Sequence, residues 1–459
     1  MNSVAGFPNR DTFEKVVDVL AEETRCQLEE QYGPSLASQG RVVASYLDFT
    51  QVSQTLEAMT LVHRTWTLPA QKARRCFAIV DDASRTSQTH PCVSLLANPT
   101  LASVDTILYR DGTITSLENS LVLLRGLVLH SYSRGLRNLH IELDLYHLAD
   151  KPLKQRPMKC LTHLLDSLTM LRHLKVLSVQ YYRGCKDDRF IIPFCDTLTR
   201  LPSLEAMRLF VLQDVYNDAW TFEIPPWLEE KHPTTSLKSL NVSIFDAALI
   251  SWLTMPRADF RLDHIGLLTA DTTGALYSTF HPALASALQP ALPFVKSLSI
   301  EGLFQWTDQP EDRFIEVQSI QRATSTETLI IRVDVGSLDL FREIQLDLRV
   351  VLSHVPLSTR RLSLLFCLPF EESKFVFVGE SQNMLEESII QYIDGAKALT
   401  RLQIIIDSAS HIREGFSRGA LAEYWECDVL WLPLSQQRCE DRGIAWTCRV
   451  DDATRYHIV

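Results

Sequence analysis

Arginine is the residue type whose placement could do the most chemistry in this chain of 459 residues. Arg332, Arg361 and Arg401 are contributed by the last three of its recurring repeats. A guanidinium offers a planar fork of donors that grips a carboxylate or a phosphate through two parallel hydrogen bonds. That is the chemistry of recognition. Groups that make or break bonds are scattered instead. Thirteen histidines are dispersed, and "LHSYSRGLRNLH" and "HLLDSLTMLRH" lack metal-ligand spacing. Ten cysteines include no CxxC pair. The carboxylate pairs Asp187/Asp188 and Glu371/Glu372 fall in loop-like stretches, where water solvates them. No phosphate-binding glycine loop, GxSxG elbow or HExxH helix is present. The residues therefore point to no catalytic group, no metal and no cofactor, and an α/β enzyme is the reading they favour least.

The elements that must hold those arginines follow from a repeat. An apolar-x-x-apolar-x-apolar hexamer begins at residues 104, 136, 174, 204, 237, 262, 295, 326, 359 and 399. The steps are 32, 38, 30, 33, 25, 33, 31, 33 and 40 residues. Each hexamer ends in strand-like alternation, while the intervening segments have helical spacing. "MKCLTHLLDSLTML" sets Leu161, Leu164, Leu165, Leu168 and Leu171 on one stripe. "DAALISWLTMP", "PALASALQPALPF" and "LEESIIQYIDGAKAL" behave alike. Pro202, Pro233, Pro256, Pro293 and Pro356 fall ahead of the next hexamer, where a missing N–H and a ring clash stop a helix.

Strand, helix and strand in this order favour a right-handed parallel crossover. The units resemble a leucine-rich-repeat solenoid of the longer, irregular kind, and the fold class expected is α/β with a parallel sheet. Tetratricopeptide and ankyrin repeats have similar lengths, but their signatures are absent. One unit buries too little apolar surface to offset the ordering of its own chain, so neighbours must stack. Strand residues then alternate between the core and a second face. The outward set is His140, Glu142, Val176, Ser178, Arg208, Phe210, Asn241, His264, Ser299, Glu301, Arg332, Arg361, Arg401 and Gln403. The three arginines are expected at corresponding places, about 4.8 Å apart per strand. That ridge would suit an acidic or phosphorylated segment; the plainer account is that exposed strand positions need solvated residues.

Ahead of the repeats lies "TLEAMTLVHRTWTLPAQKARRCFAIV", Thr55 to Val80. Leu56, Met59, Leu61, Val62 and Trp66 stand at helical separations, Pro69 breaks the run, and a strand is expected at Phe77 and Ile79. With Arg64, Ala70 and Gln71, this stretch resembles the second half of a fungal F-box, and "VVASYLDF" resembles the end of its first helix. The family's Leu-Pro opening has no counterpart here, so the box is degenerate. The resemblance implies a small helical domain that binds the Skp-type adaptor of a cullin-based ubiquitin ligase, with Leu61, Val62 and Trp66 as the contact residues and the repeats capturing an unknown protein substrate. A plain helical cap over the first repeat is the alternative.

Bulk properties set the remaining bounds. Hydrophobic residues make up 46% and charged residues 22%, typical of a globular chain. A net charge of -11 disfavours nucleic acid and anionic membranes as partners. The beginning of the chain lacks the pattern of a signal peptide, and no apolar run is long enough to span a membrane. With free thiols expected, the cytoplasm or nucleus fits best. "NVS" at Asn241 matches a glycosylation site by chance. "DTFEKVVDVLAEETRCQLEE" reads as an amphipathic helix, and the tryptophans Trp425, Trp431 and Trp446 belong to a terminal lid. The expected division is 1–80 helical with the box-like segment, 81–425 solenoid, and 426–459 capping segment. The function expected is a protein-interaction module that recruits a ligase substrate; the alternative is a solenoid scaffold with no ubiquitin role.

Overall fold

The computed structural model describes residues 77–81, 106–110, 117–129, 135–143, 155–183, 191–213, 223–242, 247–267, 286–301, 320–334, 351–367, 380–407 and 432–451. Leu61, Val62, Trp66 and the rest of the box-like segment lie outside them, as do the carboxylate pairs, Trp425 and Trp431.

All ten hexamers form strands. They are β2 (Thr106–Arg110), β3 (Asn138–Leu143), β4 (Val176–Arg183), β5 (Ala206–Gln213), β6 (Ser239–Val242), β7 (His264–Leu267), β8 (Ser297–Glu301), β9 (Thr328–Asp334), β10 (Arg361–Cys367) and β11 (Arg401–Asp407). The strand expected at Phe77 is β1 (Phe77–Asp81), and the alternating end of the chain forms β12 (Ala445–Asp451). By internal contacts the chain divides into two compact units, one running to Phe210 and the next starting at Val211. In the first, β1 pairs with β2, β2 with β3 and β3 with β4, all in parallel. In the second, β6 to β12 pair in sequence order, again in parallel.

The aliphatic triplets supply the core. At β3 these are Leu136, just ahead of the strand, with Leu139 and Ile141, none more than 2% exposed; at β6, Leu237, just ahead of it, with Leu240 and Val242, all at 0%. The helices bring the opposing stripe. In α1 (Leu117–Leu129), Leu121, Leu124, Leu127 and Val128 are buried. In α2 (Gln155–Leu168), Leu161, Leu164, Leu165 and Leu168 are buried at the spacing of one helix face, and Leu171 in the turn beyond is buried too. Next come α3 (Ile191–Leu198), α4 (Pro226–Glu229), α5 (Ala247–Thr254), α6 (Glu380–Gly395) and α7 (Pro433–Asp441). Trp252 of α5 donates its indole N–H to the carbonyls of Leu228 and Lys231, both at 3.0 Å, tying α5 to the end of α4.

One hydrogen-bond device recurs at the start of seven strands, β3, β4 and β6 to β10. The carbonyl just before each of them accepts two backbone N–H groups from the next repeat. Arg137 O takes Lys175 and Val176, Lys238 O takes Asp263 and His264, Glu327 O takes Arg360 and Arg361, and Arg360 O takes Thr400 and Arg401. A carbonyl has two lone pairs, so both bonds can be made at once. These backbone bonds fix the register of successive strands, and at Arg360 O the Thr400 hydroxyl adds a further donor at 3.0 Å. The side chains at these positions carry charge, and some pair across repeats: Lys175 with Glu205 at 2.8 Å and Lys296 with Asp263 at 3.0 Å. The hydrogen bond to Asp263 raises the pKa of Lys296.

The last repeat is held by a buried carboxylate. Glu386 of α6, 5% exposed, accepts the backbone N–H of Ser435 at 2.9 Å in the first turn of α7. The free N–H groups and positive dipole end there favour an anion. Arg438 of α7 also reaches Asp394 of α6 at 2.6 Å. Glu386→Ala should cost about 1–3 kcal/mol, because it leaves a buried donor unmet. Glu386→Gln, which keeps an acceptor oxygen, should cost less. Chemical denaturation of both variants checks this, and equal losses would show that the bond contributes nothing.

Candidate functional site: the polar face of the sheet

Strand alternation gives each sheet a second face, formed by the first and third residues of each strand. In the second unit the first positions are Ser239, His264, Ser297, Thr328, Arg361, Arg401 and Ala445. The third positions are Asn241, Gly266, Ser299, Ile330, Ser363, Gln403 and Thr447. The face is polar, as the alternation requires, yet much of it is covered. Asn241 is 3% exposed and Ser299 0%. In the first unit His140 at 5% and Ser178 at 0% hold the same position. The sequence pattern identifies the face correctly. It does not show that the third positions of β6 to β9 are buried by their neighbours, while the first positions, and the third positions Ser363, Gln403 and Thr447, stay partly or fully exposed.

Across β6, β7 and β8 the face is knitted together. The Nε2–H of His264 donates to Oδ1 of Asn241 at 2.9 Å. An amide oxygen only accepts, so the ring proton sits on Nε2. Nδ1 is then free to accept the Ser297 hydroxyl at 3.0 Å. The Asn241 amide crosses directly over Gly266, where a Cβ would collide with Oδ1 and approach Cγ at 3.1 Å. Glycine inside a strand often marks such a close approach. The buried, bonded Asn241 also has no room for a glycan, so the sequon has a structural use instead.

Towards the end of the chain the face changes character. Arg361 and Arg401 are direct partners in the β10–β11 register, and both are exposed. Beside them Ser363 donates to Oε1 of Gln403 at 3.0 Å. The side chain of neither arginine hydrogen-bonds or ion-pairs with a described residue. The expectation of three corresponding arginines needs correction. Arg332 is in register with Leu365 on β10 and Glu301 on β8, four residues further along the strand than Arg361. Matching hexamers by their aliphatic triplets places Arg332 beyond the triplet and the other two within it. A count from the buried threonine, Thr326, would have separated them.

Neither a family model nor a curated protein sequence matches this chain. The functional reading therefore depends on the face itself and on the features of the sequence.

Chemistry elsewhere is unpromising among the described residues. Cys160, Cys195, Cys439 and Cys448 are free thiols. Burial pushes Cys439 and Cys448 up to about 11 and Cys195 higher still, so these three stay protonated and are poor nucleophiles near neutrality. His163 and His173 are both exposed, one on α2 and one in the turn after it. No group of three His, Cys, Asp or Glu side chains that could hold a metal occurs among the described residues, and no described helix is long and apolar enough to cross a membrane.

Proposed function

We propose that this chain is a protein-interaction module built as a right-handed leucine-rich-repeat-like solenoid, with an F-box-like helical domain ahead of it. In this reading the polar face captures a protein substrate in the cytoplasm or nucleus, through a surface that includes Arg361 and Arg401; Arg332 would contribute separately, further along β9. The box-like segment docks a Skp-type adaptor through Leu61, Val62 and Trp66 and so joins a cullin-based ubiquitin ligase. The observation that carries the recognition half is the pair of register-matched arginines without an acidic partner among the described residues. Like charges directly opposite one another on a sheet destabilise it, so such a pair suggests a use in binding. The ligase half rests on the box-like residues alone. A solenoid scaffold with no ubiquitin role is the second reading, favoured by the absent Leu-Pro opening.

Co-expression with a Skp adaptor separates the two. The full chain should copurify with the adaptor, and L61A/V62A/W66A should abolish that while leaving partner capture intact. A full chain that captures partners yet never retains the adaptor belongs to the scaffold reading.

A further inference from the structure

We infer that α7 is a releasable strap, which docks on α6 and undocks from it as an intact helix while the rest of the second unit stays folded. This goes beyond the proposed function and depends on neither the adaptor nor the arginines.

The sequence makes α7 a helix that needs little outside support. "PLSQQRCED" opens with Pro433 at the first helical position, where the missing N–H is no loss. Two side-chain bonds then run along the helix at i,i+4 spacing. The amide of Gln436 donates to Glu440 at 2.9 Å, and that of Gln437 to Asp441 at 3.0 Å. The far end is closed by its own backbone. Ile444 N–H donates to Cys439 O and Gly443 N–H to Glu440 O, with Gly443 in the left-handed region at a φ of 66°. Gly443 is also the joint to β12, and it is unpacked: even a Cβ there would meet nothing within 4 Å.

Packing, by contrast, holds α7 weakly. Each of α3 and α5 has eight residues and buries five of them. Of the nine in α7, only Ser435 and Cys439 are buried, and its one leucine, Leu434, is 62% exposed. Most helices keep their place in a protein through an apolar face, and α7 has almost none. Polar contacts to α6 and the turn after it take over. They are Ser435 N–H on Glu386, Arg438 on Asp394, and the Arg442 guanidinium, which donates to Ala396 O at 3.4 Å.

The docked position also carries a penalty. Ser435 Oγ and Arg442 Nη1 are buried without a hydrogen-bond partner among the described residues. A buried polar group left unmet has lost its hydration for nothing, so both atoms favour the undocked state. A few polar bonds are thus set against unmet polar atoms, in a helix that keeps its shape when it leaves. Undocking uncovers Cys439. On α6 it uncovers Glu386 and the half-buried Ile390, which lies one turn on, between Glu386 and Asp394 on a single stripe.

Cys439 reports the motion, because it is 0% exposed when α7 is docked. The full-length native protein is treated with a maleimide in increasing, sub-denaturing urea, and labelling of each cysteine is read from peptide masses. Undocking exposes little surface, so the Cys439 rate should be measurable without urea and nearly independent of it. Cys195, 1% exposed within the well-packed α3, should stay unlabelled until urea is high and then rise steeply. Ser435→Ala removes an unmet hydroxyl and should slow Cys439 labelling by about fivefold or more, the equilibrium equivalent of that group's penalty. Arg438→Ala breaks the exposed pair with Asp394 and should speed it by about two- to fivefold. Neither substitution should alter Cys195. Cys439 labelling that rises with urea as steeply as that of Cys195, or a rate that both substitutions leave unchanged, would overturn the inference, because α7 would then open only when the fold around it unfolds.

Discussion

Gly266→Ala should destabilise the second unit by roughly 2–6 kcal/mol, far more than adding a methyl to a strand normally does. The new Cβ would occupy the place of Asn241 Oδ1. The amide would have to leave, breaking its bond with His264 and leaving a buried polar group without a partner. Overpacking and an unmet hydrogen bond each cost about 1–3 kcal/mol, and here one substitution causes both. A double-mutant cycle isolates the cause. Asn241→Ala removes the obstacle, so adding Gly266→Ala to that background should cost under about 1 kcal/mol. Denaturant unfolding of the four proteins measures this. Additive losses would mean that the collision is not the origin of the effect.

The second large effect is loss of stability in acid, traced to His140. Its ring is buried at the third position of β3, beside Ser178 on β4. Burial, and then the positive charge of Arg208, hold its pKa at about 3, well below the ordinary 6.5. A base with a depressed folded pKa favours the native state above its unfolded pKa. Below pH 6.5 the unfolded chain takes up a proton that the native protein refuses until about pH 3. The stability present at neutral pH is therefore lost progressively as pH falls through that window. The full span corresponds to something on the order of 5 kcal/mol. Carboxylates also titrate there, so the comparison that matters is with His140→Gln. Between about pH 4 and 6 the parent should lose stability more steeply than the variant, by close to one proton's worth. Parallel pH profiles would show that His140 is protonated in the native protein.

Both effects come from the covered half of the polar face, and there the sequence was only partly informative. The placement of the strands and of α2, α5 and α6 was plain from the pattern alone, whereas the described part of "PALASALQPALPF" holds only short helical turns and α3, α4 and α7 were not anticipated. The triplet of Leu136, Leu139 and Ile141 and the stripe of Leu161, Leu164, Leu165 and Leu168 each need one side to be apolar, and only one local conformation provides it. His140 and Asn241 were recognisable as outward residues by the same rule. Their burial was not, because it depends on what stands on the neighbouring strands. The need for glycine at 266 is hidden for the same reason: the group that forbids a side chain there belongs to a residue 25 positions earlier in the chain.

The arginines divide in the same way. That Arg361 and Arg401 lie on strands, on the outward side, follows from two-residue alternation, a local property of the chain. That they face each other while Arg332 stands four residues away follows from register, which the paired N–H bonds to Glu327 O and Arg360 O set between repeats. Period and polarity are written along the chain, since each depends on neighbours in sequence. Register, shielding and close approach join residues some 25 to 40 positions apart, and only the packed sheet determines them.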